Sequence, residues 1–498
     1  MIKIITINDC KQAKEYDFSG LSTDEKPTNC AVNSLFLELD TGDFYYFNGI
    51  WKKVGENVQL GATDGTGTIQ ITENGTVDVY DYDYADVNVP GVIPTGILPI
   101  TENGNVNVTN YATAEVGVDY VTVNFNLPAN LERTTPTELS EARQNLAATT
   151  VGNYALFGGG MHSSSPYSIV DAYDTNLTRT TPTGLSLARQ NLAATTVGNY
   201  ALFGGGYAGS SIFSTVDAYN TSLTRTTPTS LSKERRWLAA TTVGSYALFG
   251  GGSSGGYSAI VDAYDASLTR TTPSALSEAR NSLTATKDEN YALFGGGYTS
   301  SGSSNVVDAY NTSLTRITPT EISQEREYLA ATTVGNYALF GGGNPEASTY
   351  ISAIVDAYDT SLIRTTPTEL SQAREDLAAT SIGNYALFGG GSGNSYSNVV
   401  DAYDTSLTRT TPTALSQVRR ELAATSVGNY ALFGGGDDYS TNLNTVDAYS
   451  LANYNIQLFP ETKYSFNNSE EIFSPTMQTI TMQGPVVGYI KIKNTTVN

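Results

Sequence analysis

His162 is the only histidine in the chain, so the commonest chemical machinery is scarce from the outset. A serine or cysteine nucleophile usually takes its base from an imidazole, and zinc and copper sites draw on the same side chain. One such residue supplies neither arrangement, and it reads as a solvent-exposed loop residue. Cys10 and Cys30 lie near the N-terminus and no cysteine follows them, so no disulfide framework is expected. Asp78, Asp81, Asp83 and Asp86 offer the oxygen ligands that calcium prefers. Their spacing fits no recognisable calcium loop, and a solvated turn is the expectation. No catalytic residue, metal ligand or cofactor site is assigned, and the chain is not read as an enzyme.

Three columns of residues recur instead. Arginines stand at 143, 189, 235, 280, 326, 374 and 419, and aspartates at 171, 217, 262, 308, 356, 401 and 447. A ring of arginines could grip an anion, but presence in every unit points to structural pairs or hydrogen bonds to loop carbonyls. The third column is aromatic and sits in loops otherwise made of Ser, Gly, Asn and Thr: Tyr167, Tyr207 with Phe213, Tyr257, Tyr298, Tyr350, Tyr396 and Tyr439. Trp237 and Tyr328 add aromatics at the junctions between units, where the other units hold Asn145, Asn191, Ser282, Asp376 and Glu421. Rigid aromatics among small adaptable polar groups are how many binding surfaces are built. The candidate ligand-binding residues are Tyr207, Trp237, Tyr257, Tyr298, Tyr328, Tyr350, Tyr396 and Tyr439.

An internal repeat must position these columns. Tyr-Ala-Leu-Phe-Gly-Gly-Gly recurs seven times, its glycines beginning at 158, 204, 250, 295, 341, 389 and 434, and Val-Asp-Ala-Tyr follows each copy. Within a unit the pattern makes four short strands. A Val-Gly-Asn/Ser turn suits the first hairpin. In Tyr200-Ala-Leu-Phe203 neither alternating face is polar, so the strand should be covered on both sides. Pro228 reads as part of the last strand, and a proline there marks it as the outer edge. The loops after the glycines vary while the opposite turns hardly change, which gives a rigid scaffold one diversified face.

These units resemble kelch repeats in the Gly pair after an aromatic strand, the Val-Asp-Ala-Tyr segment and the Arg before the first strand. The resemblance covers about 320 residues and implies an all-β, seven-bladed kelch-like β-propeller over 129–450. Kelch units usually carry a Trp where this chain has Arg133, Arg179, Arg225, Arg270, Arg316, Arg364 and Arg409, so the rim should pack differently. Copper oxidases on kelch propellers need several histidines and a propeller cysteine, which are missing here. The Ser-x-Asp-x-Gly-x-Thr-Trp boxes of sialidases are missing too.

Residues 1–56 read as an N-terminal β module, with two hairpins around Thr41-Gly42 and Asn48-Gly49. In 57–128 two copies of a smaller repeat, Ile71–Val79 and Ile100–Val108, are each followed by a second Val-x-Val segment, and each reads as a hairpin too small to stand alone. Residues 451–498 read as a short C-terminal β element. Leu37-Glu-Leu-Asp-Thr-Gly-Asp-Phe-Tyr-Tyr-Phe-Asn-Gly-Ile-Trp51 and the Ile-Thr-Glu-Asn-Gly segments resemble modules in structural proteins of tailed bacteriophages of Gram-positive bacteria. That resemblance implies a virion protein of the tail, fibre or decoration, made in the host cytoplasm. Its N-terminal modules would dock to other virion proteins, and its propeller would face host cell-surface carbohydrate or a neighbouring virion protein, as a homo-oligomer in the particle. A purely structural virion protein and a bacterial surface adhesin are the alternatives.

Composition agrees with some of this and excludes other partners. A formal charge of -22 repels nucleic-acid phosphates and anionic lipid, so neither nucleic acid nor membrane is expected. The opening residues lack the apolar core of a signal peptide, and nothing approaches the roughly 20 apolar residues of a membrane span.

Strand counting also predicts how the ring closes. The Arg-(Thr/Ile)-Thr-Pro strand first appears at 133, ahead of the first unit, and the seventh unit lacks one. Residues 131–137 should therefore supply the outer strand of the last blade. A chain beginning at residue 138 is expected to melt at a lower temperature than one beginning at 129.

Overall fold

The structure, a computed structural model, describes residues 131–345 and 351–452 in full, and outside them the backbone of sixteen short strands. Two compact units result: Ala129–Ala452, and Met1–Pro128 together with Asn453–Asn498. In the larger unit seven four-stranded antiparallel sheets form the blades of a β-propeller. The innermost strand of each blade touches that of the next, and the first, Ala147–Val151, touches the last, Ala423–Val427.

The second blade shows why the sequence folds this way. Its strands are Ala193–Val197, Tyr200–Gly204, Val216–Asn220 and Arg225–Thr226, from the axis outward. Val197 pairs with Tyr200 across Gly198-Asn199, and Gly198 has φ +52°, as the first residue of a type II′ turn requires. Ala201, Leu202, Phe203, Ala218 and Tyr219 are wholly buried, because both faces of the middle strands meet another blade. The outer strand ends sooner than expected. Its ladder stops at Thr226, so Pro228 lies beyond the strand, consistent with a residue that has no N–H to donate.

The core lies between blades. One cluster joins Val151, Leu156 and Ala172 of the first blade to Ala201, Phe203 and Tyr219 of the second. Each glycine of the triplet has its own reason there. A Cβ on Gly158 would stand 2.7 Å from the Phe203 ring, so the blades meet where a side chain is missing. Gly159, at φ +69°, would drive a Cβ to 2.6 Å from the Arg189 carbonyl oxygen. The Gly160 amide donates to that carbonyl at 2.9 Å and bonds one blade to the next. Phe203 meets Tyr219 edge to face at 5.9 Å, and the Tyr219 hydroxyl donates to the Thr183 carbonyl at 2.7 Å. The contact of glycine with phenylalanine recurs around the ring, ending with Gly434 against Phe157.

Closure follows the strand count. Leu131–Thr134 takes the outer place in the seventh blade, with Leu131 opposite Leu451 and Thr134 opposite Ala448. Arg133 donates to Asp447 at 2.8 Å across 314 residues of sequence. The fourth blade departs from the repeat, with Lys287-Asp288-Glu289-Asn290 where the second has Thr196-Val-Gly-Asn199. There the Asp288 carboxylate accepts the amides of Asn290 and Tyr291, both at 2.6 Å, and shapes the turn without a glycine.

In the smaller unit, Leu35–Glu38 pairs with Phe44–Phe47, which pairs with Trp51–Lys53, giving the two hairpins expected there. The two small repeats are not each the hairpin expected: Gly75–Val79 pairs antiparallel with Gly104–Val108 of the other copy, and Gly67–Ile71 and Tyr84–Asn88 both pair with Ala114–Val118. Val121–Leu127 pairs along its length with the C-terminal Val486–Asn494.

Gly158→Ala is expected to destabilise the propeller by about 1–3 kcal/mol, since the Phe203 ring must give way. Denaturant unfolding measures this, and Phe203→Leu should cost less in the Gly158→Ala background than alone.

Candidate functional site

The arginine and aspartate columns are structural. Arg143 lies 2.9 Å from Asp171 with both side chains wholly buried, and the pair recurs in all seven blades. Asp171 also receives the Ser140 amide and hydroxyl, and Arg179 reaches it from the outer strand at 3.1 Å. Two guanidiniums and a backbone amide offset the cost of burying the carboxylate. The inner arginine and the aspartate have no contact with solvent, and the rim arginine is mostly covered.

The opposite properties meet at the axis. On the face carrying the variable loops, the second residue after each buried arginine adopts positive φ, between +48° and +56°: Asn145, Asn191, Trp237, Ser282, Tyr328, Asp376 and Glu421. Their backbones form a closed circle of hydrogen bonds. Asn191 N donates to Asn145 O, Trp237 N to Asn191 O, and so on until Asn145 N donates to Glu421 O, all at 3.0–3.2 Å. Around this circle lies a cavity of about 630 Å³, lined also by Gln190, Tyr207, Glu375 and Arg420, with Leu192, Leu238, Leu283 and Leu329.

Asparagine and aspartate tolerate this left-handed conformation, whereas large aromatic residues are uncommon in it. Trp237 and Tyr328 therefore occupy positions where backbone preference alone would place Asn, as at Asn145 and Asn191. Tyr328 is 40% exposed despite its size. At the mouth of the cavity Tyr328 is thus exposed and Trp237 half-buried, each in a backbone conformation that large residues rarely adopt.

Of the eight candidate residues, Tyr207, Trp237 and Tyr328 line the cavity. Tyr207 and Trp237 lie 6.0 Å apart, and the Arg236 guanidinium sits 3.9 Å from the Trp237 ring and 4.6 Å from that of Tyr207. Tyr257 and Tyr298 pair at 6.0 Å, and Tyr396 and Tyr439 stack at 3.5 Å with Arg420 beside Tyr396. These two pairs stand on the loops outside the cavity lining. Tyr350 lies outside the described residues, as do the side chains of Asp78, Asp81, Asp83 and Asp86. His162 is not the exposed loop residue expected: it sits in a small hairpin with Ser165–Pro166, half-buried, its Nδ1 3.3 Å from the Ala142 carbonyl oxygen.

Arg236, Arg420, Asp376 and Glu421 belong to the site and were not among the candidates. The signal was the pair of positions after each buried arginine, where the repeat stops repeating. The acidic side of the cavity is electrostatically tense. Burial, then the neighbouring Glu421 and Glu375, push the Asp376 carboxyl up to about 7. Burial also raises Glu421, against the pull of Arg420 and of a 2.7 Å hydrogen bond from Asn145.

No family model and no curated protein matches the chain. Among solved structures similar to it, that of YjhT aligns over 62% of this chain and 95% of its own, at 12% identity and a TM-score of 0.43. So distant a likeness transfers nothing about function.

Protonated Asp376 favours the fold, because its pKa lies above the value of about 4 in an unfolded chain. That contribution is intact below about pH 4 and is lost as pH rises through about 7. Asp376→Asn should thus gain no stability over the wild type at the acid end. Its advantage should grow toward neutrality and level off above it, as denaturant midpoints across that range would show.

Proposed function

We propose that this chain is a non-enzymatic virion protein of a tailed phage, whose propeller presents its loop face to a host-surface glycan. The observation that carries the binding part is the axial cavity, where Trp237 and Tyr328 hold a backbone conformation that favours other residues. Sugar rings offer apolar C–H faces that pack on aromatic side chains, and their hydroxyls suit Asn145, Asn191, Ser282 and Gln190 around the same opening. The Tyr257–Tyr298 and Tyr396–Tyr439 pairs extend the aromatic surface beyond the cavity. The kelch reading rests on the Gly pair and the Val-Asp-Ala-Tyr segment. The virion reading rests on the N-terminal modules, which would dock the chain to other virion proteins after synthesis in the host cytoplasm.

Trp237→Asn with Tyr328→Asn should leave the denaturant midpoint within about 1 kcal/mol of the wild type, since asparagine suits the backbone there. Capture of the protein on purified Gram-positive cell walls should fall at least about tenfold. Unchanged capture would remove the axial cavity from this reading. A wild-type chain that assembles on particles but binds no wall would favour the purely structural alternative.

A further inference from the structure

We infer that the axial cavity takes a hexosamine whose amino group is free, its ammonium held by Asp376 and Glu421 and its ring against Trp237 and Tyr328. This deepens, and rests on, the reading of the loop face as a glycan-binding surface.

The order of the hydrogen-bonded circle supplies the geometry. Counting from Asn145, Trp237 is third, Tyr328 fifth, Asp376 sixth and Glu421 seventh. In a ring of seven, the third position faces the gap between the sixth and the seventh. An aromatic wall thus stands across the opening from two adjacent carboxylates, with Tyr328 beside them.

Charge points to the sign of the ligand. Three carboxylates line the cavity, Glu375, Asp376 and Glu421, against one guanidinium in the lining, Arg420, with a second, Arg236, packed on the Trp237 ring across the opening. Arg420 stands 3.8 Å from Asp376 and is shared with Asp437 at 3.4 Å. The Asp376 side chain accepts no hydrogen bond among the described residues, so its only partner is that distant, divided cation. An ammonium placed there would meet an anion that the protein leaves poorly compensated. A metal ion is the weaker occupant: among the described residues no group of three or more His, Cys, Asp or Glu side chains is placed to hold one. An inorganic cation would also leave the facing aromatics unused, whereas an amino sugar carries both an apolar face and a charge. N-acetylation would keep the ring and remove the charge.

Calorimetry of the full chain at neutral pH, with a β-1,4-linked glucosamine tetramer and its fully N-acetylated counterpart, tests this. The free-amine tetramer should bind at least about tenfold tighter, the worth of one charge-assisted hydrogen bond. Asp376→Asn with Glu421→Gln should abolish the preference, so that the double variant binds the free-amine tetramer no tighter than the acetylated one. Equal or tighter binding of the acetylated tetramer overturns the inference and leaves the glycan reading standing. A preference that survives in the double variant overturns it too, by placing the ammonium elsewhere. If neither tetramer binds, the inference falls, and capture on cell walls decides separately whether the glycan reading falls with it.

Discussion

Each blade of this propeller is held at its distance from the next by a phenylalanine ring lying on a Cα that has no side chain. Phe203 on Gly158 is one of seven such contacts, and the last, Phe157 on Gly434, returns to the start. A closed circle cannot widen one interface without compressing others, and protein interiors yield little to such strain. The buried arginine and aspartate of each blade act on the same joint from the loop side. Arg189 pairs with Asp217 in its own blade, while its carbonyl receives the Gly160 amide of the blade before. One residue thereby links a blade's internal charge pair to its neighbour's backbone.

That rigidity explains what the loop face is allowed to hold. The circle of backbone hydrogen bonds keeps seven residues at positive φ whatever their side chains, so the repeat can carry Asn, Ser, Trp, Tyr, Asp or Glu at one position. The conformational cost of Trp237 is of the order of 1–3 kcal/mol and is borne by the surrounding contacts. Diversity at the axis is thus compatible with near-identity elsewhere. The same circle brings Asp376 and Glu421 side by side, where burial works against their charge.

Much of the fold was legible because it is written seven times. The glycine triplet, the turn glycines and the strand missing from the last unit follow from local chemistry and counting, and Leu131–Thr134 stands where the count put it. Pro228 was misplaced by two residues, since a sequence does not show where a ladder ends. The site was only half legible. Trp237 and Tyr328 stood out against Asn145 and Asn191, but that Trp237 faces Asp376 and Glu421 depends on order around a ring, which linear spacing hides. Likewise, the stacking of Tyr396 on Tyr439 joins two different loops 43 residues apart, and their conformations are not encoded by any repeat.

The strand that leads into the propeller and the strand that ends the chain are paired with each other, from Val121 opposite Ile492 to Leu127 opposite Val486. A second pairing, Leu131 opposite Leu451 to Thr134 opposite Ala448, follows inside the disc. Both pairings set the first residue of the earlier strand opposite a residue at or near the end of the later one, so tension drawn through Leu131 and Leu451 would open the second pairing one residue pair at a time. Because Leu131–Thr134 is the outer strand of the seventh blade, that load would fall on a blade at once.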